Sequence, residues 1–167
     1  YVSKQFYASL SLLFASKDIL NINLRKELCQ SLVISKIFYG IAVYYPCLTY
    51  IDKKMLQIIQ NTCSRFINNL RKYDHISHTF ADLRWLQIGN LFKYSFLNLV
   101  YSILETLAPS YLRNKLILRS STHNVHIRKK LCLTMPVHQT ALFSRSFTYN
   151  AVKLFSALPE SMKHNLT

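Results

Sequence analysis

The stretch that decides the fold is Tyr50–Leu70, with the sequence YIDKKMLQIIQNTCSRFINNL. Its core-type side chains recur at steps of three and four residues, the spacing that places them on one face of an α-helix. They are Met55, Ile58, Ile59, Thr62, Phe66, Ile67 and Leu70. Just before them, Thr49 and Asp52 have the spacing of a capping box, with Asp in place of the usual Glu. The pattern predicts an amphipathic helix with one face in a core.

The opposite face of this predicted helix is polar. At about 100° per residue, five side chains fall on it. They are Lys54, Gln57, Asn61, Arg65 and Asn68. The face offers hydrogen-bond donors and positive charge but no acid, so it is either solvated or in contact with a nucleic-acid backbone.

The rest of the chain also has mostly helical patterns. We expect helices over residues 1–17, 24–45, 90–106 and 145–158, with a short helix from Pro109 to Leu118 and a final turn after Pro159. Asn21 or Asn23 would cap the second helix, and Pro46 would close it. Residues 70–77 are polar and predict a connector. Apolar and polar residues partly alternate near 122–136, which favours a small β-hairpin.

These patterns together predict a mainly α fold. Residues 1–74 would form a three-helix bundle, and residues 75–167 an α-rich region that contains the hairpin. The boundary lies near residues 70–80, with 107–120 as the other candidate.

The net charge is strongly positive. The chain has 21 Lys and Arg against 7 Asp and Glu, a formal charge of +14. Residues 111–167 contain nine of the cations and a single acid, Glu160, so internal ion pairs cannot neutralise this half. Such a charge favours a polyanionic partner, nucleic acid first and an anionic membrane second. We expect phosphate contacts from two patches: Lys53, Lys54, Arg65, Arg71 and Lys72 in one, and Arg128, Lys129, Lys130 and Arg145 in the other.

The acids do not form a catalytic site. Two-metal polymerase and nuclease chemistry needs carboxylates that converge on the ions, and no two of the seven acids are adjacent. The two glycines, Gly40 and Gly89, exclude Gly-rich phosphate loops. We therefore expect no catalytic residue, bound metal or cofactor in this chain. His75 with His78, and His123 with His126, have a spacing that zinc uses, and a zinc module remains an alternative.

A membrane span is the alternative for residues 29–48, which contain a single charged residue, Lys36. A lysine near the middle of a span costs about 3 kcal/mol on insertion scales, so we favour a buried helix of a globular domain. The four cysteines are far apart, with no C-x-x-C pair, which favours reduced thiols. With no signal-like segment at the start, we expect an intracellular protein of the nucleus or cytoplasm.

Four blocks in this order resemble the region after the catalytic palm in reverse transcriptases of non-LTR (LINE-type, jockey-like) retrotransposons. The longest and most specific is LQIIQNTCSRFINNLRKYDHIS, residues 56–77. The others are LRKELCQSLVISKIFYGIAVYY (24–45), LRWLQIGNLFKYSFLNLVYSIL (83–104) and SFTYNAVKLFSALPESMK (146–163). Together they span nearly the whole chain.

The resemblance implies a thumb and post-thumb region that binds the RNA–DNA template–primer duplex or RNA. The palm and fingers of the parent RNA-directed DNA polymerase would be its partners. The catalytic aspartates and the Mg²⁺ they bind would lie in that palm, before Tyr1, so this fragment would be inactive alone. A non-functional transposon remnant and a helical membrane protein are the alternatives.

Overall fold

A computed structural model describes residues 2–119, 132–137 and 140–163, with side chains from Phe6 onward. The fold is mainly α, as predicted. The first helices are α1 (Val2–Ala15), α2 (Ile22–Cys29), α3 (Ser35–Phe38), α4 (Ile41–Tyr44) and α5 (Tyr50–Ile67). The later helices are α6 (Ser77–Leu83), α7 (Ile88–Thr106), α8 (Ser110–Arg113), α9 (Phe147–Ser156) and α10 (Glu160–Lys163). A π-helical turn, Gln30–Ile34, joins α2 to α3, and 3₁₀ turns occupy Tyr45–Cys47 and Ala141–Arg145.

Helices α1, α2 and α5 pack against one another, which is the arrangement expected for the first part of the chain. Phe14 of α1 meets Phe66 of α5 edge to face, with ring centroids 5.0 Å apart. The buried side chains between the helices include Leu10, Cys29 and Ile59. Each Å² of apolar surface removed from water between these helices stabilises the bundle by about 25 cal/mol.

The predicted helix over residues 24–45 is interrupted. Asn21 caps its start as expected, because its side chain accepts the Leu24 amide at 2.9 Å. At Tyr39, however, ψ is 113°, and Gly40 follows with φ +68°, a conformation that glycine adopts without steric cost. The helix therefore ends at Phe38, and a separate short helix, α4, leads to Pro46.

The ends of α5 are capped by the residues that the sequence supplies. Thr49 and Asp52 form the predicted capping box: the Asp52 amide donates to Thr49 Oγ1 at 3.2 Å, and the Thr49 amide donates to the Asp52 carboxylate at 3.3 Å. At the other end Asn69 is left-handed, with φ 55°. There the Leu70 amide donates to the Arg65 carbonyl at 2.9 Å, the bond of a Schellman motif.

The chain divides into two compact units. One comprises residues 1–41 and 48–92, and the other residues 42–47 and 93–167. The predicted boundary between 74 and 75 lies inside the first unit, because the segment after it hydrogen-bonds back to α5. Helix α6 begins at Ser77, where the sequence had predicted only the end of a connector.

The second unit contains α8, α9 and α10. Phe96 and Phe147 pack with centroids 5.4 Å apart. Leu118 and Leu133 form an isolated antiparallel bridge. The predicted short helix ends at Arg113 instead of Leu118. Beyond its end, the Arg113 guanidinium donates to the Leu116 carbonyl at 2.7 Å.

The described residues of the predicted hairpin near 122–136 do not support it. Its residues 122–131 lie outside the described part of the chain. Residues 132–134 form one bridge with residues 117–119, made by bonds from the Thr134 amide to the Ile117 carbonyl at 2.7 Å and from the Arg119 amide to the Cys132 carbonyl at 2.9 Å. One bridge does not extend into a strand, because Met135 and Pro136 continue as irregular chain.

Candidate nucleic-acid interface

A tight turn follows α5 and contains two of the predicted phosphate-binding residues. The Asp74 amide donates to the Arg71 carbonyl at 3.2 Å, which closes a β-turn over residues 71–74. In return, the Arg71 amide donates to the Asp74 carboxylate at 2.7 Å. Arg65 of α5 donates from Nη2 to the Asp74 carbonyl at 3.3 Å. The turn is therefore closed on itself and tied to the helix.

Three side chains of this turn are exposed and two of them are basic, while Asp74 is half-buried. Lys72 and Tyr73 occupy its two central positions, and Arg71 opens it. Tyr73 is 86% exposed, and the Lys72 ammonium lies 5.5 Å from the centroid of its ring. His75 is exposed just after the turn. We call residues 71–75 the basic–aromatic turn.

The first predicted patch is not one surface. Lys53 and Lys54 lie in the first turns of α5, whereas Arg71 and Lys72 lie beyond its last turn. At 1.5 Å per residue, the helix between them spans about 20 Å. Lys54 is exposed and Lys53 half-buried, so the structure places cations at both ends of α5 without joining them.

Arg65 has a structural part in this region. Its side chain is half-buried, Nη2 bonds the Asp74 carbonyl, and Nε is buried with no hydrogen-bond partner. The Arg65 side chain ties the turn to α5 through this bond, while Arg71 and Lys72 are the exposed cations. Arg65 is thus a positioning residue for the basic–aromatic turn.

The second predicted patch is only partly described. Arg128, Lys129 and Lys130 lie outside the described residues. Arg145 is exposed at the end of the 3₁₀ turn Ala141–Arg145, immediately before Ser146, whose hydroxyl accepts the Tyr149 amide at 3.3 Å as the cap of α9.

Several other cations bond to backbone carbonyls. Arg25 donates to the carbonyls of Leu20 at 3.0 Å and Lys17 at 2.7 Å. The Lys163 side chain is 3% exposed and donates to the Ser156 carbonyl at 3.0 Å. A carbonyl accepts these bonds but has no net charge. The cations therefore keep their contribution to the positive field of the protein.

Part of the polar side of α5 is hydrogen-bonded to the chain that follows it. Gln60 is 1% exposed and donates to the Leu86 carbonyl at 2.8 Å. Gln57 accepts the Ile88 amide at 3.0 Å and donates to Gln60 at 3.0 Å and to Asn61 at 2.8 Å. Gln57 and Gln60 therefore anchor the segment that leads into α7. Asn61 bonds only back to Gln57 of the same helix, and Lys54 on this face is exposed.

Neither the exposed position of Tyr73 nor the anchoring by Gln57 and Gln60 was predicted from the sequence. Tyr73 had a detectable signal, an aromatic residue directly after two cations in a polar connector. The glutamines gave none, because a polar residue on a helix looks the same whether water or another segment covers it.

Metal ligands do not gather in the described residues. There, no group of three or more His, Cys, Asp and Glu side chains could hold a metal ion. His75 and His78 are both exposed, and His123 and His126 lie outside the described ranges.

Within the described ranges, no single helix is long and apolar enough to cross a membrane. The consecutive helical segments Ile22–Phe38 and Ile41–Cys47 satisfy the length and composition test only as a pair, which is bent by 42°.

Comparison with known proteins gave no relative: no family model, curated protein or solved structure matches the chain. The resemblance to non-LTR reverse transcriptases therefore stays a prediction.

Proposed function

We propose that this chain is the template–primer binding portion of an RNA-directed DNA polymerase from a non-LTR mobile element. It binds RNA–DNA duplex and RNA through their phosphates, independently of sequence. The catalytic palm, its carboxylates and its Mg²⁺ belong to another part of the parent polymerase, and the protein acts inside the cell, in the nucleus or cytoplasm.

One observation carries the proposal: the basic–aromatic turn presents Arg71 and Lys72 to solvent on a backbone fixed by hydrogen bonds at both of its ends. A fixed turn loses little entropy when it binds, so more of the interaction appears as affinity. The net charge of +14 adds a long-range attraction for any polyanion.

Charge composition alone supports only general attraction. The structure refines it, because Arg65 and Arg25 are engaged with backbone carbonyls, whereas Arg71 and Lys72 are exposed. Lys54 adds an exposed cation at the far end of α5, so a bound duplex that follows this helix would meet cations at both ends.

The test is binding of the full chain to a fluorescently labelled RNA–DNA hybrid, measured by anisotropy at several salt concentrations. Each phosphate contact contributes about 0.9 to the slope of log affinity against log salt. The double variant Arg71→Gln/Lys72→Gln should bind more weakly, with a slope reduced by about 1.8.

The matched control is Lys36→Gln/Arg84→Gln. It removes the same charge from exposed positions of the first unit and should retain most of the affinity. Affinity that does not change with salt refutes the proposal. Equal losses in the two double variants would refute the assignment to the turn.

A further inference from the structure

The most unusual side chain of the basic–aromatic turn is Tyr73. Tyrosine normally buries much of its large apolar surface, yet this one is 86% exposed at the tip of a hydrogen-bonded turn. It does not contribute to the core of its own unit. Tyr39 is equally exposed, so what distinguishes Tyr73 is its place directly after two exposed cations on a hydrogen-bonded turn.

The surroundings of Tyr73 suit a nucleotide. The Lys72 ammonium lies over the ring, 5.5 Å from its centroid, a cation–π arrangement that leaves the second face of the ring available. Arg71 supplies another exposed cation one residue earlier. Aromatic rings that stack on bases, beside cations that contact phosphates, are how proteins hold single strands without reading sequence.

This combination discriminates between paired and unpaired strands. In a duplex, each base is stacked between its neighbours, so a protein ring cannot reach a base face. In a single strand the bases can be splayed out onto aromatic side chains. The cations act on either form, whereas the ring contributes only where a base is unpaired.

We propose that the basic–aromatic turn binds single-stranded nucleic acid, with one unpaired base stacked on Tyr73 and the adjoining phosphates contacted by Arg71 and Lys72. This rests on the proposed function and deepens it, since the unpaired template next to a primer–template duplex is such a strand. The hydrogen bonds from Arg65 and Arg71 to Asp74 fix the backbone that presents the ring.

An anionic membrane surface is the other polyanion that aromatic and basic residues can bind. The turn favours the single strand, because Tyr73 has only polar or charged neighbours in Arg71, Lys72, Asp74 and His75. Insertion into a lipid interface would need further apolar side chains beside the ring.

The experiment uses the full chain and three labelled probes at one salt concentration: a 12-nucleotide oligo-U RNA, the matching oligo-dT DNA and a blunt RNA–DNA hybrid. Tyr73→Ala should weaken binding to both single strands roughly 5- to 150-fold and leave binding to the blunt hybrid within about twofold. Tyr73→Phe keeps the ring and should bind like the parent protein.

Tyr39→Ala is the matched control, because Tyr39 is also 86% exposed but lies between the uncharged residues Phe38 and Gly40. It should not change the affinity for any probe. A 2-aminopurine base in the single strand gives a direct signature of stacking: its fluorescence should be quenched by the parent protein and by Tyr73→Phe, and not by Tyr73→Ala.

The inference is overturned if Tyr73→Ala leaves single-strand binding unchanged, if it weakens the hybrid equally, or if Tyr39→Ala has the same effect. Failure of the parent protein to bind either single strand also overturns it. A further contrary result would be that Tyr73→Ala weakens binding to anionic phosphatidylserine vesicles but does not weaken binding to the single strands. The blunt hybrid distinguishes failure of the stacking inference from failure of the proposed function. Salt-dependent binding to the hybrid that requires Arg71 and Lys72 supports the proposed function even if no base stacks on Tyr73.

Discussion

Gln60 is the side chain whose replacement best tests how α5 holds the segment after it. It is 1% exposed, donates to the Leu86 carbonyl at 2.8 Å and accepts from Gln57 at 3.0 Å. Gln60→Met keeps the length and approximate volume of the side chain but cannot make either bond. The change therefore isolates the hydrogen bonds from the packing.

The expected loss follows from those two bonds. Each is worth about 1 kcal/mol net, and removal of one partner leaves the other group without its bond, so we expect the free energy of unfolding to fall by about 2 kcal/mol. For a chain of this length, that lowers the melting temperature by roughly 4–8 °C. Urea unfolding followed by circular dichroism measures the free energy, and amide exchange at Ile88, whose N–H bonds Gln57, should accelerate.

The control is Gln87→Met, since Gln87 is exposed and such surface changes stay within about 0.5 kcal/mol. The reasoning is refuted if Gln60→Met costs no more than Gln87→Met, or if the Ile88 amide exchanges at an unchanged rate. Either result would mean that the hydrogen bonds of Gln60 do not help to hold the segment after α5.

Two further predictions concern α5. Thr49→Ala removes the capping-box hydroxyl that accepts the Asp52 amide and should lower the free energy of unfolding by about 1 kcal/mol, while Thr49→Ser should restore most of it in urea unfolding. A hydrogen bond with the Cys29 side chain, together with burial, raises the pKa of Cys63. A thiol with a raised folded-state pKa contributes stability that is complete below its unfolded pKa and is lost as pH rises. The free energy of unfolding should therefore fall by up to about 2 kcal/mol between pH 8 and pH 10, measured by urea titrations under reducing conditions.

Each of these has a clear contrary outcome. Equal stability of Thr49→Ala and Thr49→Ser would show that the hydroxyl does not cap the helix. For the pH prediction, Cys63→Ala should show a smaller alkaline loss than the parent. The same loss in both proteins would assign the effect to other groups.

Local patterns predicted the helices well where the sequence contains its own end signals. Asn21, Thr49 and Asp52 were expected to cap helices and do so. The long apolar stretch over residues 24–45 led to the wrong prediction of one continuous helix, because an apolar pattern carries no information about the backbone angle φ. Gly40 has a positive φ and breaks the helix, although the apolar pattern continues through it. Helix α6 was missed because its short sequence, SHTFADL, has too few apolar positions to show a period.

The candidate site was predictable only in part, for a physical reason. Arg65 lies in the last turn of α5 and Arg71 in the β-turn that follows it, and composition treats the two arginines alike. Arg65 bonds the Asp74 carbonyl, while the backbone amide of Arg71 bonds the Asp74 carboxylate and leaves its side chain exposed. That distinction depends on how the chain turns after Asn69, which no spacing rule gives.

The shortage of acids explains why arginines bond to carbonyls in this protein. With seven acids for 21 cations, a partly buried guanidinium has few carboxylates available, and backbone carbonyls are the remaining acceptors. Such bonds engage donors of Arg25 and Arg113 without cancelling their charge, and Arg113 Nε is left buried with no hydrogen-bond partner. Net charge and binding site are therefore separate properties: all the cations create attraction for a polyanion, but only exposed ones such as Arg71 and Lys72 can contact its phosphates. A variant that lost Arg71 and Lys72 should keep a weak, salt-sensitive attraction for nucleic acid and lose its preference for the surface at the basic–aromatic turn.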